Sequence, residues 1–538
     1  MLKHTYVHSL PLLTALALLA PGCFSADDES AHGGSGANDT SPSGSATAGD
    51  GQGTGVGSTS GGGDDTAGGS DTAAGGTGGA DDDGPEPDDS GNEGGSTGGT
   101  STGEPACDDQ TEVELFLSPD DSNSMSSPVQ VRSAVLDSFS SLSSSPIRVW
   151  EFLNYYSFDY PPAEPGTLAL QTSLLHEEDA PEGEFKLQIA VTSPEISNED
   201  RAKMNLTLVL DESGSMSGMP MNLQKETCRV IASSLRPGDI VSIVGWDTSN
   251  AIKLSGHEVT APNDPTVLAE CDALEAGGGT DLHGGLVAGY GLAQQHFDTT
   301  RINRIVLMSD GGANAGVTEK ELIGMHAGSQ DEDGIYMVGV GVGDHGYNDA
   351  LMDTVTDIGK GASVYVSDAD EAQKVFGDRF VSTMAVAARD VQVRLDMPPG
   401  FEIVKFSGEE FSADPEEVEP QHIAPSDSMV FHQTIATCAP ELAGEDAEIT
   451  VTARFRDAIT FEEQEVTQTL TIGELLAQAD PQLLKGAAIF AYADGLQLLR
   501  DEDDDSGIVA AQQAIARAEE VLPGDEDLAE MSAVLAAL

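Results

Sequence analysis

Positive charge is scarce in this chain of 538 residues, which has 24 Lys and Arg against 92 Asp and Glu. Such an acidic surface repels phosphate backbones and anionic lipid headgroups. We therefore expect no nucleic acid among its partners. The same excess of carboxylates favours solubility and attraction for cations.

Long apolar runs are also missing from the sequence. The run at residues 10–20 is too short to span a bilayer as a stable helix. Lys3 and His4 precede this run, which predicts an export signal over residues 1–23 rather than a transmembrane segment.

The end of that run, Ala20-Pro21-Gly22-Cys23, resembles the lipobox of bacterial lipoproteins. The resemblance implies that Cys23 becomes an acylated N-terminus that anchors the protein in a membrane. Phe24 follows the cysteine instead of Asp, which by resemblance to Gram-negative lipoproteins implies the outer membrane, on its periplasmic or its surface face. An ordinary cleaved signal with an incidental cysteine is the alternative.

Cysteine is rare, with five residues in the whole chain. If Cys23 is acylated, Cys107, Cys228, Cys271 and Cys438 remain. An even number in an exported chain permits two disulfides, and three pairings are possible. The cysteines show no Cys-x-x-Cys or Cys/His spacing that would indicate zinc.

The segment 24–107 is composed almost wholly of Gly, Ser, Thr, Ala, Asp and Glu. It lacks apolar periodicity, so nothing offsets the entropy cost of ordering it. We predict a disordered acidic tether between the membrane anchor and the folded part. An acidic spacer that binds Ca²⁺ is the alternative.

The N-terminal region 108–203 contains a helical pattern followed by an aromatic block at residues 149–156. Aromatic side chains at this density are typical of core packing. We therefore expect the block to be buried rather than to form an exposed ligand platform.

Apolar runs alternate with amphipathic segments from residue 204 to residue 387. The alternation predicts strands at 205–210, 239–246, 250–254, 303–309, 335–342 and 362–367, and helices at about 219–235, 265–275, 281–297, 317–328, 347–358 and 369–386. The runs 206–210 and 305–308 within the first and fourth strands are apolar throughout, as parallel strands buried on both faces require. The pattern predicts a doubly wound α/β domain around a mostly parallel six-stranded sheet of order 3-2-1-4-5-6.

The period of the apolar pattern changes to two after residue 387. Residues 388–473 therefore predict an accessory antiparallel β domain, in the form of a sandwich. The last region, 474–538, is rich in Ala and Leu at helical spacing and predicts about three helices packed on the rest of the protein.

Oxygen-bearing side chains follow two of the predicted strands. Asp211, Ser213 and Ser215 leave the first strand, and Asp310 follows the fourth. These strands are neighbours at the switch point of the predicted order, where ligands bind at the carboxyl ends of strands. Thr280 comes directly after three glycines, which let a backbone approach a ligand closely. We expect the five side chains to converge on one site.

Hydroxyl and carboxylate oxygens are hard donors, which suit Mg²⁺, and also Mn²⁺ or Ca²⁺, rather than zinc or copper. Three neutral hydroxyls and two carboxylates leave such an ion under-coordinated. A carboxylate from an Asp or Glu of a protein partner suits the open position.

The five residues resemble the metal-ion-dependent adhesion site of the von Willebrand factor type A (VWA) domain. Asp211, Ser213 and Ser215 match the Asp-x-Ser-x-Ser pattern of that family, Thr280 matches its distal Thr, and Asp310 matches its distal Asp. The resemblance implies that the hydroxyls bind the ion directly and that the aspartates often act through water.

This similarity covers about residues 204–386 and implies a bacterial lipoprotein with a complete adhesion site. The segment 152–161 resembles the N-terminal part of exported bacterial members, and their C-terminal region is helical, as is predicted for 474–538. These flanking matches are looser than the metal motif.

Three other interpretations compete with metal-dependent binding. In the first, Asp211 and Asp310 merely cap helices, but capping does not explain the joint spacing of the five residues.

The second interpretation is a metal-dependent hydrolase or phosphoryl-transfer enzyme. Such an enzyme needs a base or nucleophile near the ion, for which Glu212 and His283 are weak candidates. The sequence also lacks Gly-x-Ser-x-Gly, His-Glu-x-x-His and P-loop motifs. A structural display protein is the third. We expect a binding protein for adhesion or envelope-complex assembly, not an enzyme.

Overall fold

The computed structural model describes residue 107 and residues 110–119, 124–137, 142–177, 180–311, 334–343, 347–359 and 361–538. All of them belong to one compact unit. The predicted signal peptide with Cys23, the tether before Cys107 and the helix predicted at about 317–328 lie outside the described residues.

The strands, numbered along the described chain, are β1 (Val113–Ser118), β2 (Ala169–Leu175), β3 (Glu184–Thr192), β4 (Met204–Asp211), β5 (Ile240–Trp246), β6 (Asn250–Glu258), β7 (Ile302–Ser309), β8 (Ile335–Val342), β9 (Ser363–Val366), β10 (Ala388–Met397), β11 (Phe401–Phe406), β12 (Glu410–Ser412), β13 (Gln421–Ile423), β14 (Ser428–Thr437), β15 (Glu448–Asp457) and β16 (Glu463–Thr471). The α-helices are α1 (Ser126–Arg132), α2 (Val149–Tyr155), α3 (Met219–Ser234), α4 (Pro265–Asp272), α5 (Leu282–Gln295), α6 (Asp349–Ile358), α7 (Ala369–Gln373), α8 (Phe380–Met384), α9 (Ile472–Leu476), α10 (Pro481–Glu502), α11 (Ser506–Val521) and α12 (Glu526–Ala537).

The central sheet has the order β6-β5-β4-β7-β8-β9. All its pairings are parallel except that of β5 with β6. Every residue of β4 and β8 is buried, because helices or other layers cover both faces of the sheet. The predicted α/β fold and the strand order 3-2-1-4-5-6 are confirmed.

The segment predicted as one helix over 369–386 is interrupted. It consists of α7, a π-helical turn at Lys374–Asp378, and α8. Gly377 lies in this turn, and glycine weakens an α-helix because its backbone loses more conformational freedom than that of other residues.

Two antiparallel sheets form a β unit beside the α/β domain. One has the order β12-β1-β10-β15-β16, with β13 also paired to β10, and the other has the order β11-β14-β3-β2. Alternating side chains of both sheets form one buried hydrophobic cluster. The region predicted as a β domain, 388–473, thus shares its sheets with three strands from 108–203. The sequence shows no such long-range pairing, because periodicity reports only which face of a strand is buried.

The aromatic block at 149–156 lies in the core, as predicted. Phe152, Tyr155 and Tyr156 are at most 2% exposed. The rings of Phe152 and Tyr492 meet edge to face with centroids 5.6 Å apart, which joins α2 to α10. One hydrophobic cluster continues from the central sheet through α2 to the three long C-terminal helices. Within the described residues, no helix is both long and apolar enough to cross a membrane.

The structure contains two disulfides, which correspond to one of the three cysteine pairings that are possible from the sequence. Cys107 is bonded to Cys438 at the end of β14, and Cys228 of α3 is bonded to Cys271 of α4. All four cysteines that remain after Cys23 are therefore paired.

Candidate metal centre

The candidate site begins where β4 ends. This strand lies between β5 and β7, with Asp211 opposite Trp246 and Leu210 opposite Met308. Because β4 and β7 are parallel, the loops that follow Asp211 and Ser309 leave the sheet at the same edge. This edge is the switch point of the strand order.

The carboxylate of Asp211 is fully buried and held by two donors. Its Oδ1 accepts the backbone N–H of Ser213 at 2.8 Å, and its Oδ2 accepts the hydroxyl of Ser309 at 2.6 Å. Gln224 of α3 fixes the backbone of Asp211, since its Oε1 accepts the Asp211 N–H at 3.2 Å and its Nε2 donates to the Asp211 carbonyl at 2.8 Å. The orientation of this carboxylate is thus set by three surrounding elements.

The two serines of the loop lie side by side. The Oγ atoms of Ser213 and Ser215 are 3.0 Å apart. Ser213 is buried beneath the loop, whereas Ser215 is exposed at its surface. A ligand that contacts both hydroxyls would therefore reach from the buried carboxylate to solvent.

The loop that carries Thr280 packs directly on the loop after β4. The Gly277 N–H donates to the Glu212 carbonyl at 2.7 Å, and the Gly214 N–H donates to the Gly278 carbonyl at 3.3 Å. Gly278 has φ +78°, a backbone conformation that favours glycine. Thr280 itself is 1% exposed.

Asp310 follows β7 and is 9% exposed. Its carbonyl accepts the N–H of Asn348 at 3.1 Å, so the segment before α6 closes this side of the site. Gly311, with φ +80°, passes so close that a Cβ there would lie 2.7 Å from the Asn348 nitrogen. A glycine is therefore needed directly after Asp310.

Electrostatics at this edge favour a cation. Burial and, to a smaller extent, the charge of Asp310 raise the pKa of Asp211 to about 7, although the hydrogen bonds from Ser309 and Ser213 act to lower it. Asp211 forms no ion pair with any residue that the structure describes. A divalent ion would supply the missing positive charge.

The donor set determines which ion fits. In the described part of the chain, no three or more His, Cys, Asp or Glu side chains are grouped so that they could hold a metal. The site instead combines two carboxylates with hydroxyls, which are hard oxygen donors and fit Mg²⁺.

A comparison with protein families bears on the same stretch of chain. Residues 206–313 match the sequence model of the von Willebrand factor type A domain. The chain therefore contains a VWA domain. The match begins within β4 and extends beyond Asp310, so it includes all five predicted site residues.

Two curated bacterial proteins are similar to about half of this chain. The uncharacterized protein YfbK of Escherichia coli K12 is 28% identical over 266 residues, which cover 47% of this chain and 45% of the relative. The uncharacterized protein sll0103 of a Synechocystis strain is 27% identical over 221 residues, which cover 41% of this chain and 51% of the relative. The chain thus spans about half the length of these relatives.

Solved structures of VWA proteins are more distant in sequence. A von Willebrand factor type A protein from Catenulispora acidiphila is 16% identical with a TM-score of 0.44, covering 68% of this chain and 89% of that one. The ArnB paralog VWA2 from Sulfolobus acidocaldarius is 16% identical with a TM-score of 0.37, and the match covers 69% of this chain and 97% of that one.

The structure brings the predicted site residues of the VWA domain to one edge of the sheet. Asp211, Ser213 and Ser215 are joined by hydrogen bonds, while Thr280 and Asp310 lie in loops that contact or flank them. Their role as metal ligands stays a prediction.

Two further residues of this edge were missed at the sequence level. Ser309 and Gln224 both bond to Asp211. Ser309 is the last residue of β7, directly before Asp310, and that position was the available signal. Gln224, by contrast, gives no signal in the sequence, because it occupies an ordinary position on the buried face of α3.

The helix-capping alternative does not account for Asp211. Helix α3 follows Gly218 and has no side-chain cap, whereas Asp281 caps α5 by accepting the N–H of Gly284 at 3.0 Å. Glu212 is also occupied, since its carboxylate pairs with Lys253 at 2.8 Å and accepts a backbone N–H from Glu275.

Proposed function

We propose that this chain is a lipid-anchored protein of the bacterial envelope that binds a protein partner through Mg²⁺ at its VWA domain. The observation that carries the proposal is the convergence of Asp211, Asp310 and the loop hydroxyls at the switch point, with Asp211 buried and paired with no cationic side chain among the residues that the structure describes. Adhesion and envelope-complex assembly are both functions of this kind.

Asp211, Ser213, Ser215, Thr280 and Asp310 would hold the ion. When bound, Mg²⁺ supplies an electrophilic centre that accepts an oxygen ligand from outside. Asp211 would contribute charge from its fixed orientation, and the buried hydroxyls of Ser213 and Thr280 would face inward. Ser215 is exposed, so a side chain of the partner would approach the site from the side of this serine.

A carboxylate of a partner Asp or Glu suits this position because it is a hard, charged oxygen donor. The partner would then dock through one charged side chain whose binding depends on the ion. A hydrolytic role would also require a base, and the carboxylate of Glu212 is occupied by Lys253 and a backbone N–H.

The proposed location outside the cytoplasm is supported by the cysteines. Disulfides persist in oxidising compartments, and two of them are present. Because they use Cys107, Cys228, Cys271 and Cys438, Cys23 is the one cysteine of the sequence left for acylation.

A metal titration of the purified chain tests the site. Wild type should bind Mn²⁺, monitored by electron paramagnetic resonance, and Mg²⁺ should displace it. Asp211→Asn and Ser213→Ala should weaken binding at least about tenfold, because each loses a ligand. Ser217→Ala is the matched control, since this exposed serine lies in the same loop and bonds only to the Gly214 carbonyl. Equal affinity in Asp211→Asn and wild type would refute the site.

A pull-down from envelope extracts then tests the function. Partner capture should need Mg²⁺, be lost in a chelator, and be lost in Asp211→Asn while circular dichroism shows an intact fold. A partner retained in every condition would contradict metal-dependent capture. Turnover of generic phosphatase or peptidase substrates that Asp211→Asn abolishes would instead favour an enzyme.

A further inference from the structure

Two loops of the candidate metal centre are attached to neighbouring helices. Helix α3 follows the loop that carries Ser213 and Ser215, and helix α4 ends shortly before the loop that carries Thr280. The disulfide between Cys228 and Cys271 joins these two helices. The VWA resemblance gives this bond no role.

Helix α3 holds the first of these loops through Gln224. This side chain accepts the Asp211 N–H at 3.2 Å and donates to the Asp211 carbonyl at 2.8 Å. Cys228 lies four residues after Gln224, so both side chains are on the same buried face of α3. A movement of α3 at Cys228 would therefore also move the contact that fixes the backbone of Asp211.

Helix α4 is short and weakly anchored. Of its eight residues, Val267 and Cys271 are the buried ones. Its polar contacts with α3 are exposed, since Asp272 pairs with Arg229 at 2.7 Å and its carbonyl accepts Nζ of Lys225 at 3.1 Å. Exposed ion pairs contribute little to stability. The covalent bond at Cys271 is therefore the strongest link between α3 and the C-terminal end of α4.

The two loops also contact each other. The Glu212 carbonyl accepts the Gly277 N–H at 2.7 Å, and the Gly278 carbonyl accepts the Gly214 N–H at 3.3 Å. Together with the disulfide, these hydrogen bonds close a ring that consists of α3, both loops and α4. Thr280 follows Gly278 by two residues, so its position depends on this ring.

We propose that the disulfide between Cys228 and Cys271 positions the metal site, because it holds the loop of Thr280 against the loop of Asp211. The inference rests on the proposed metal binding. An ion binds tightly when its ligands are already held in place, since binding then requires no ordering of loops. Without the bond, α4 can open locally and the loop of Thr280 moves with it. The chain therefore binds the ion tightly only when these two cysteines are bonded.

A Mn²⁺ titration of the full chain, monitored by electron paramagnetic resonance, tests this proposal. Cys228→Ala/Cys271→Ala should bind Mn²⁺ about tenfold more weakly than wild type, which is the scale found for groups that orient metal ligands. Cys107→Ala/Cys438→Ala is the matched control, because it removes the disulfide at the end of β14 instead. This control should keep the affinity of wild type.

Hydrogen exchange of the metal-free proteins gives a readout that does not depend on the ion. The amides of residues 273–281 should exchange faster in Cys228→Ala/Cys271→Ala than in wild type or in the control. The amides of β4 and β7 should stay protected in all three proteins, which distinguishes local opening from a general loss of stability. Exchange of residues 273–281 at the rate of wild type would overturn the proposal.

The affinities separate this inference from the proposed function. Equal Mn²⁺ affinity in wild type and folded Cys228→Ala/Cys271→Ala would refute the role of the disulfide and leave the metal site standing. Wild type that binds no Mn²⁺ would refute the proposed function and this inference with it. An equal loss of affinity in both double variants would indicate a general effect of lost disulfides and would also overturn the inference.

A second variant addresses the folding of the double alanine protein. Cys228→Val/Cys271→Ala also lacks the bond, but its valine refills part of the buried volume. It should show the same loss of Mn²⁺ affinity, with an intact fold by circular dichroism. Failure of both variants to fold would assign the bond to the fold as a whole and would overturn its assignment to the metal site.

Discussion

The imidazole side chain of His432 is buried inside the β sandwich. It lies on β14 at 1% exposure, and its Nδ1 is 2.9 Å from Oε1 of Gln188, its register partner on β3. Burial and, to a smaller extent, the charge of Lys186 lower the pKa of His432 to about 3. The folded protein therefore keeps this side chain neutral well below pH 6.

The unfolded chain does not share this property, so stability depends on pH. Between the ordinary pKa of 6.5 and the folded value, the unfolded state binds a proton that the folded state does not. Acidification from pH 7.5 to pH 5 should thus cost about 2 kcal/mol of unfolding free energy at this residue. Urea unfolding of wild type and His432→Gln at both values measures it. The variant should lose less stability on acidification, and equal losses would contradict the prediction.

At the scale of elements, an ion-pair network joins α2 to α6. Arg148, just before α2, binds Asp349 at 2.7 Å and Glu151 at 3.0 Å. Glu151 is fully buried and also accepts the N–H of Ser127 at 2.6 Å. Since Asn348, the residue before Asp349, bonds to Asp310, the N-terminal region is connected to the edge of the candidate metal centre.

Arg148→Met should destabilise the protein by about 3 kcal/mol, because it leaves the buried charge of Glu151 without its partner. Arg517→Met should cost less than about 1 kcal/mol, since Arg517 and Glu177 form an exposed pair. Chemical denaturation of both variants gives the comparison. Equal effects would show that the buried network contributes no more than a surface pair.

At the scale of the molecule, the sandwich is assembled from two regions on either side of the VWA domain. β10 lies between β1 and β15, and β14 lies between β3 and β11. The strands β1, β2 and β3 therefore complete both sheets, and their apolar residues belong to the same buried cluster as those of 388–473.

Residues 387–473 produced alone should consequently not fold. Without β1 and β3, β14 and the part of β10 that pairs with β1 become open edges, and the apolar cluster is exposed to water. Circular dichroism and thermal unfolding should show no cooperative transition for this fragment, whereas residues 107–538 should show one. A cooperative transition in the fragment would indicate a sandwich that is stable by itself.

The VWA sheet could be predicted from local signals, because β4 and β7 are apolar runs that end in recognisable oxygen-bearing loops. The sandwich could only be predicted in part, since alternation in β10 and β15 indicates strands but does not reveal that β1 or β3 is their neighbour. The cysteine pairing depends on the same long-range packing. At the site, Asp211 and Asp310 follow from spacing, while the contact of Gln224 with Asp211 depends on how α3 packs against the sheet.

The bond between Cys107 and Cys438 has a mechanical consequence. Cys107 precedes β1, so tension applied to any earlier residue reaches the fold through the sulfur bridge at Cys438. The load is shared with the end of β14, a central strand of its sheet, instead of peeling β1 from β10 one hydrogen bond at a time. For the proposed lipid-anchored protein that captures a partner, the pulling force would then cross a covalent link.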